Sequence, residues 1–330
     1  MKTLVNFLKY HRGKPTNVRF YNQMRKDYIE SKYNIINKVS FINGILNPKY
    51  NIKNSEGIIG KLNSADSKKI CHKLKTDGYY IFPDLLPLEK VEELKEFASN
   101  TPLHYLIPDG KNISYSKESV SYNNSKNKSN RYQILDVTSY KSSSEVLKIV
   151  CDPNFLNIAN YYLGTKPLLD LIVMWWSNSL KNINADEETK KLLKSSSAQM
   201  FHFDMDRLKF LKFFIYLTDV TENTGPHVYV KGTNNSIPKY IKQDGRYTDE
   251  FITENDGKNI VEITGKAGSI IAVDTRGLHK GKELEEGERL IFQLEFTNSF
   301  FGKPEFPVVP EKFDFKGDKK YLDSYKFFFK

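Results

Sequence analysis

The pattern of apolar and polar positions divides the chain into a helix-rich first part and a strand-rich second part. Capping residues, glycines and a proline bracket segments with helical spacing, which predicts helices over residues 64–75, 88–98, 144–150, 154–163 and 185–194, and one strand over 79–82. Short apolar runs between turn signals predict strands over residues 167–177, 198–204, 209–219, 228–230, 260–263, 268–274 and 289–297. Helices followed by short antiparallel strands predict an α+β, mainly β fold, with a double-stranded β-helix core (jelly-roll or cupin-like) braced by helices.

Three regions differ in the sharpness of this pattern. Residues 1–62 are basic and rich in Asn, and they form either a helical extension or a partly disordered arm. Residues 63–302 carry the clear pattern and form the predicted jelly-roll domain, and residues 303–330 follow as a C-terminal tail. The Ser-, Asn- and Lys-rich segment 114–130 is interpreted as a surface loop, with a lid over a nearby site as the alternative.

Composition narrows the class of protein. With 330 residues and 39% hydrophobic content, the chain can bury one large core. No stretch approaches the roughly 18 consecutive apolar residues of a membrane helix, and no signal-peptide cleavage pattern follows the first residues. We therefore expect a soluble, cytoplasmic protein. Cys71 and Cys151 lie in predicted helices, which argues against a disulfide framework and against a thiolate zinc site.

The formal net charge of +10 and the pI of about 9.2 raise the question of an anionic partner. Lys dominates this charge, and no interleaving of Arg with aromatic residues marks a nucleic-acid groove. We expect a solvated, Lys-rich surface and no nucleic-acid partner. The excess of Lys weakly favours an anionic small-molecule substrate.

Four residues have the types and the order along the chain that are typical of a metal site next to an arginine that binds a carboxylate. Side chains two apart on a strand share a face, so His202 and Asp204 can reach one metal ion together. His279 follows the apolar run 269–274, and a sheet that closes on itself can bring it opposite that pair. Two His and one carboxylate form the facial triad of Fe(II) oxygenases. Arg289 begins a later strand, where burial is costly unless an anion meets the guanidinium.

Other polar residues near these four have simpler interpretations. Asp206 continues the alternation but is expected to be a solvated or hydrogen-bonded neighbour. His227 follows a Gly-Pro pair and is expected to be a turn residue. Lys212 lies on the next strand, where we expect it to face outward, with contact to an anionic cosubstrate as the alternative.

The motifs as a set resemble the phytanoyl-CoA dioxygenase family, over roughly residues 64–302. They are residues 77–83 (DGYYIFP), 199–204 (QMFHFD), 211–220 (LKFFIYLTDV), 223–227 (NTGPH) and 268–279. The resemblance implies an Fe(II)- and 2-oxoglutarate-dependent oxygenase. By position, it implies that His202, Asp204 and His279 bind Fe(II), that Arg289 holds the distal carboxylate of 2-oxoglutarate, and that Gln199 approaches this cosubstrate.

Two positions depart from the family pattern. Family members often carry Ser or Thr two residues past the distal histidine, where it helps to bind 2-oxoglutarate, and this chain has Gly281. Asn234 stands in a turn where Gly-Ser-His is common, and we interpret that change as structural. Asp204 agrees with hydroxylation, because related halogenases replace this carboxylate with a small residue.

The function implied is hydroxylation of an unidentified small or medium organic molecule with O2, coupled to conversion of 2-oxoglutarate to succinate and CO2. The alternative is a non-catalytic jelly-roll binding protein for carbohydrate or lipid. A demethylase acting on nucleic acid or protein ranks last, because extra Arg residues and base-stacking loops are absent from the sequence. The substrate and the oligomeric state stay open.

Overall fold

The computed structural model describes residues 2–10, 15–83, 85–305, 307, 309 and 311–330. The helices of these residues are α1 Lys2–Tyr10, α2 Val18–Glu30, α3 Asn34–Leu46, α4 Ser64–Asp77, α5 Leu88–Asn100, α6 Ser144–Val150, α7 Pro153–Leu163, α8 Glu187–Ser196, α9 Asp249–Asp256 and α10 Leu322–Tyr325. The strands are β1 Asn54–Gly57, β2 Gly60–Asn63, β3 Tyr79–Ile81, β4 His104–Asp109, β5 Asn112–Tyr115, β6 Arg131–Gln133, β7 Leu168–Asn178, β8 Phe210–Tyr216, β9 His227–Val230, β10 Ile260–Ile263, β11 Ile270–Val273, β12 His279–Gly281 and β13 Glu288–Thr297.

Two antiparallel sheets build the core. The large sheet has eight strands in the order β3-β11-β8-β13-β7-β6-β4-β5, and the small sheet has the order β10-β9-β12. In the middle of the large sheet, the neighbours β11, β8, β13 and β7 come from distant parts of the chain, as in a jelly roll. The predicted α+β, mainly β fold with a double-stranded β-helix core is therefore confirmed.

The large sheet separates a hydrophobic core from a polar cavity. Its outer face packs on the helices, where Phe155 of α7 lies 4.5 Å from Phe213 of β8 between ring centroids. Along β13, side chains alternate between the two faces. Leu290, Phe292, Leu294 and Phe296 enter the helix-side core, whereas Arg289, Ile291 and Gln293 line the cavity. This alternation places polar groups inside the molecule without breaking the core.

The first three helices pack against the region that carries His279. The hydroxyl groups of Tyr28 and Tyr33 both donate to the carbonyl oxygen of Arg276. The ring of Tyr28 also stacks on Phe203 with centroids 6.1 Å apart. Asn43 of α3 donates to the carbonyl oxygen of Asn298 at 2.6 Å. Residues of α1–α3 thus share one hydrophobic cluster with the small sheet.

Three local predictions need correction. The predicted strand over residues 198–204 is absent: only Phe201 and His202 form isolated bridges, and Ala198 has a left-handed φ of 60°. Helix α4 extends to Asp77, two residues beyond the predicted end at residue 75; Asn63 caps it, and Asp66 completes the capping box from inside the helix. Segment 114–130 begins within β5, and Tyr122 is buried on Trp176 at 4.1 Å between centroids, so the segment is anchored to the core.

No helix among the described residues is both long and apolar enough to cross a membrane.

Candidate metal centre

The side chains of His202, Asp204 and His279 converge on one point at the edge of the small sheet. One ligand atom from each residue lies within 4.8 Å of the other two. The backbone explains this meeting, because His202 and His279 exchange two hydrogen bonds of 2.9 and 2.8 Å as an antiparallel bridge beside β12. Asp204 is held close by the bond from its N–H to the carbonyl oxygen of Thr275, at 2.8 Å. Strand spacing allowed His202 and Asp204 to meet, and the family resemblance implied that His279 joins them.

Hydrogen bonds fix both imidazoles in the same tautomer. The Nδ1 atoms of His202 and His279 lie 2.9 Å from the carbonyl oxygens of Met200 and Gly277. A carbonyl oxygen only accepts, so each Nδ1 carries the proton and each Nε2 presents its lone pair. The two Nε2 atoms lie 3.6 and 3.7 Å from the carboxylate oxygens of Asp204.

The charge states of the three residues suit a divalent cation. Burial lowers the pKa of His202 to about 4 and that of His279 to about 3, against the opposing field of Asp204. Both rings are therefore neutral at neutral pH. Burial alone would raise the pKa of Asp204, but Lys212 and the two histidines lower it well below its usual range. Two neutral imidazoles and one ionised carboxylate are a donor set that fits Fe(II).

Lys212 joins Asp204 to a second buried carboxyl group. Its Nζ lies 2.6 Å from Asp204 Oδ2 and 3.5 Å from Glu295 Oε2. Burial raises the pKa of Glu295 to about 8, with Lys212 acting in the opposite direction. The expectation that Lys212 faces outward is wrong, because its strand β8 is buried throughout. In the sequence, Lys212 is the one charged residue of the apolar run LKFFIY, a pattern that indicates a buried lysine with an acidic partner.

These groups line a cavity of about 250 Å³ between the two sheets. Polar residues form its wall on the small-sheet side, and apolar and polar residues alternate on the large-sheet side. The residues of the wall are Arg131, Gln133, Leu171, Val173, Trp175, Ser197, Ala198, His202, Asp204, Lys212, Phe214, His227, His279, Gly281, Arg289, Ile291 and Gln293.

Arg289 is buried in this cavity without a carboxylate partner among the described residues. Its Nη2 donates to Ser177 Oγ at 3.2 Å, and its Nε has no hydrogen-bond partner in the described part of the chain. Burial lowers the pKa of Arg289 to about 10, and the positive charge of Arg131 acts in the same direction. A buried cation with free donors fits a carboxylate ligand.

His227 also belongs to the cavity wall. It begins β9, so the expectation of a turn residue is wrong. Its ring lies 5.4 Å from the ring of His279, and its Nε2 is buried without a partner among the described groups. Burial, followed by the charges of His279 and Arg289, lowers the pKa of His227 well below its usual range. The cavity therefore contains a neutral imidazole that can bond to a ligand.

Gln199 and Asp206 do not join the site. Neither is among the residues of the cavity wall. The amide oxygen of Gln199 accepts a hydrogen bond of 3.1 Å from Asn130, and a contact of Gln199 with the cosubstrate stays a prediction. Asp206 is half-buried outside the metal-ligating group. Asn234 is structural, as expected, because it donates to the carbonyl oxygen of Leu74 at 3.0 Å.

Comparison with known proteins places the chain among relatives of one family. The family model for phytanoyl-CoA dioxygenase (PhyH) matches residues 74–285, more than half of the chain. No curated protein matches.

Solved structures with a similar fold have low sequence identity. EctD from S. alaskensis with bound Fe is 14% identical, with a TM-score of 0.48 over 76% of this chain and 87% of that one. The α-ketoglutarate-dependent epimerase SnoN from nogalamycin biosynthesis is 15% identical, with a TM-score of 0.47 over 71% and 83%. HygX from Streptomyces hygroscopicus with nickel and 2-oxoglutarate bound is 12% identical, with a TM-score of 0.46 over 72% and 89%.

Proposed function

Because the chain belongs to the phytanoyl-CoA dioxygenase family, we propose that it is an Fe(II)- and 2-oxoglutarate-dependent dioxygenase that hydroxylates a small or medium organic molecule. The reaction converts 2-oxoglutarate, O2 and a C–H bond of the substrate into succinate, CO2 and a C–OH group. The observation that carries the proposal is the convergence of His202, Asp204 and His279 on the cavity that also buries the unpaired Arg289.

His202, Asp204 and His279 are the residues that would hold the iron. When bound, the metal would supply the centre for the reaction of O2 with the keto acid. The chain contributes two Nε2 lone pairs, each oriented by a bonded Nδ1, and one carboxylate oriented by Lys212. These bonded partners keep the ligands in place before the metal binds.

Arg289 is the proposed partner of the distal carboxylate of 2-oxoglutarate. Its fork can donate two parallel hydrogen bonds to a carboxylate. Ser177 fixes the fork from one side through the 3.2 Å contact with Nη2. The Nε2 atom of His227 lies on the same wall without a partner among the described residues. We propose that it forms a second polar contact with 2-oxoglutarate.

Asp204 favours hydroxylation over halide transfer within this chemistry. Its carboxylate occupies a ligand position that a halide would need, and Lys212 holds it there at 2.6 Å. The apolar side chains Leu171, Val173, Phe214 and Ile291 line the rest of the cavity and limit the access of water to the reacting centre.

The test is a measurement of succinate formation and O2 uptake with Fe(II) and 2-oxoglutarate, during a screen of metabolites for stimulated turnover. We expect a stimulated rate in the wild-type protein and none above background in His202→Ala. The variant Asp206→Asn is the matched control, since Asp206 lies outside the metal-ligating group, and it should retain turnover. A folded protein that binds a small molecule but forms no succinate under any condition would instead support the binding-protein alternative.

A further inference from the structure

A second cavity lies between α3 and the last turns of α4 and α7. Its volume is about 490 Å³, and its wall shares no residue with the wall of the metal cavity. The segments before β8, after β9 and before β12 complete the wall. Its residues are Asn37, Ser40, Phe41, Gly44, Ile45, Lys75, Tyr161, Tyr162, Leu163, Gly164, Lys209, Asn234, Asn235 and Arg276. The cavity is therefore separate from the proposed catalytic site.

Among the described residues, basic side chains carry all the charge of this wall. Lys75, Lys209 and Arg276 belong to it, and no Asp or Glu does. Arg276 donates to Asp274, which lies outside the wall, from Nη2 at 2.6 Å and from Nε at 2.9 Å, so this pair is neutral. The two lysines, when protonated, leave an excess of two positive charges at the cavity.

The amine of Lys209 is held in place by the end of α7. Its Nζ donates to the carbonyl oxygen of Tyr162 at 2.7 Å and lies 4.4 Å from the ring centroid of the same residue. An ammonium group has three N–H donors, and this hydrogen bond uses one of them. The remaining donors and the positive charge are available to a ligand in the cavity.

The electrostatic surroundings of Lys209 indicate that its charge lacks a counter-ion. Burial lowers the pKa of Lys209 to about 7, and the charge of Arg276 acts in the same direction against the opposing charge of Asp274. Lys75 lowers this pKa further, and Cys71 raises it. A buried cation without an adjacent anion is costly, and an anion bound beside the amine would remove that cost.

A polar atom of the same wall is also without a partner. Asn234 is only 1% exposed, and its amide nitrogen donates to the carbonyl oxygen of Leu74 at 3.0 Å. Its amide oxygen has no hydrogen-bond donor among the described groups. Buried polar atoms in folded proteins normally have a partner, so this wall favours a polar occupant of the cavity.

Apolar side chains lie on the α3 side of the cavity. Phe41 and Ile45 are one helical turn apart, line the cavity, and are 71% and 66% exposed. Large apolar groups with this exposure next to a charged cavity suit a ligand that has both an anionic group and an apolar part.

We propose that Lys75 and Lys209 bind the phosphate group of a small phosphate monoester, whose organic part packs on Phe41 and Ile45. Two positive charges match the dianion of a phosphate monoester better than the single charge of a carboxylate. Lysine binds phosphate as a point charge and needs no fixed fork geometry. The site lies outside the metal cavity, so it adds a second ligand to the one that reacts.

The test is calorimetric titration of the full chain at pH 7 with phenyl phosphate, inorganic phosphate and phenol. We expect one saturable site for phenyl phosphate, weaker binding of inorganic phosphate, and none of phenol. Lys209→Met should weaken phenyl phosphate binding by roughly 10- to 100-fold, and Lys75→Met, at an exposed position, by roughly 2- to 5-fold. Lys166→Met is the matched control, since Lys166 also lies over a tyrosine ring but outside this wall.

A surface variant tests the apolar part of the site. Phe41→Ala should weaken phenyl phosphate binding by roughly 3- to 10-fold, because the phenyl ring loses apolar contact area. The same variant should leave the affinity for inorganic phosphate unchanged. Equal effects on both probes would contradict the packing of the organic part on Phe41.

Binding should also take up protons. At pH 8 the amine of Lys209 is mostly neutral, and the bound phosphate favours its ammonium form. Calorimetry in two buffers of different ionisation enthalpy should show uptake approaching one proton per phenyl phosphate in the wild type and almost none in Lys209→Met. Cys71 and Tyr162 do not contribute, because burial raises both pKa values and keeps these groups neutral at this pH.

Vesicles distinguish a lipid from a soluble ligand of the same chemistry. Sedimentation with phosphatidylcholine vesicles that contain phosphatidate, lost in Lys209→Met, would support a phospholipid. Binding of phenyl phosphate without such sedimentation would support a soluble phosphate monoester.

The site would be refuted by a wild-type protein that binds no phenyl phosphate, or by binding that Lys209→Met and Lys75→Met both leave unchanged. Binding that is lost in Arg289→Gln would place the anion in the metal cavity and also refute the site. A cooperative thermal transition of Lys209→Met shows that this variant is folded. None of these titrations contains iron or 2-oxoglutarate, so their outcome is independent of the proposed function.

Discussion

Lys212 is the side chain that connects the Asp204 carboxylate to the interior of the large sheet. It donates to the Asp204 oxygen at 2.6 Å and lies 3.5 Å from a carboxyl oxygen of Glu295. A carboxylate held in this way has one fixed orientation, and its ionised form is stabilised by the neighbouring cation. Residues that orient a metal ligand contribute to metal affinity without touching the metal.

We predict that Lys212→Met lowers the affinity for a divalent metal by roughly 10- to 100-fold, because Asp204 loses its orienting partner. Calorimetric titration with Mn(II) measures the effect. Lys266→Met is the matched control, since Lys266 also pairs with an aspartate, Asp219, but on the exposed surface. Metal affinity in Lys212→Met equal to or higher than that of the wild type would show that Lys212 does not orient the ligand.

Gly281 leaves open space beside Arg289, the proposed partner of 2-oxoglutarate. A Cβ at this position would meet Arg289 Nη2 at 3.5 Å and the carbonyl oxygen of Ala198 at 3.8 Å, which are ordinary contacts. We predict that Gly281→Ser strengthens 2-oxoglutarate binding by roughly 3- to 10-fold, because the serine adds one hydrogen bond. Ser177→Ala should weaken this binding by a similar factor, because Arg289 loses the hydrogen bond to Ser177. Titration of 2-oxoglutarate into both variants decides this. Weaker binding by Gly281→Ser would mean that the space is needed by the ligand.

The sequence was most informative where a residue type is costly unless it has a partner. His202, Asp204, His279 and Arg289 could be predicted to meet because their motifs as a set resemble one family, and because a buried Arg needs an anionic partner. The partners of Gln199 could not be predicted, because Asn130 comes from a segment without a periodic pattern. The contact depends on how a loop packs, and single-sequence patterns carry no information on that.

At the scale of elements, the meeting of the two histidines depends on the small sheet. His279 begins β12 and pairs with Tyr229 of β9 on one side and with His202 on the other. The strand β12 has only three residues, too few for an alternating pattern to predict it. The long strands β7, β8 and β13, by contrast, lie within two or three residues of their predicted limits. Sequence patterns do not predict short strands of this kind, because distant partners determine how such strands pair.

Gly78 connects α4 to β3 and lies directly against the small sheet. It ends α4 with a left-handed φ of 91°, and its carbonyl oxygen accepts from the N–H of Asp274 at 2.8 Å. A Cβ on Gly78 would overlap the ring of Tyr229, the residue that pairs with His279. A substitution here therefore displaces the strand next to a proposed metal ligand.

We predict that Gly78→Ala lowers the free energy of unfolding by about 2 to 4 kcal/mol, from backbone strain and overpacking together. Gly60→Ala is the control, because Gly60 also has a positive φ, 78°, but open space around its Cβ position. That variant should lose only about 1 kcal/mol. Urea unfolding of both proteins measures the difference, and equal losses would contradict the contact with Tyr229.

At the scale of the whole molecule, the first helices act as part of the catalytic domain rather than as an appendage. Tyr28 is fully buried, donates to the carbonyl oxygen of Arg276, and stacks on Phe203 between two proposed metal ligands. Phe41, on the same helical region, is 71% exposed. The sequence left open whether residues 1–62 are helical or partly disordered, since periodicity does not tell whether a helix has a surface to pack on.

This arrangement predicts different effects for two aromatic substitutions. Tyr28→Ala should lower the free energy of global unfolding by about 3 to 5 kcal/mol, the cost of removing a large buried aromatic side chain. Phe41→Ala should change it by less than about 0.5 kcal/mol. Thermal and urea unfolding that stay cooperative in both variants would support one folding unit. An unchanged transition of the jelly-roll domain in Tyr28→Ala would show that the helices are separable.

The central claim is that His202, Asp204 and His279 bind Fe(II) in the cavity where Arg289 receives 2-oxoglutarate. The most direct test is an anaerobic titration of 2-oxoglutarate into the Fe(II)-loaded protein, followed by the visible charge-transfer absorbance of the metal–keto acid complex. We expect a saturable band with one equivalent of iron in the wild type, no band in His279→Ala, and a much higher dissociation constant in Arg289→Gln. A wild-type protein that shows no such band, or a band that persists unchanged in His279→Ala, would contradict the assignment of this site.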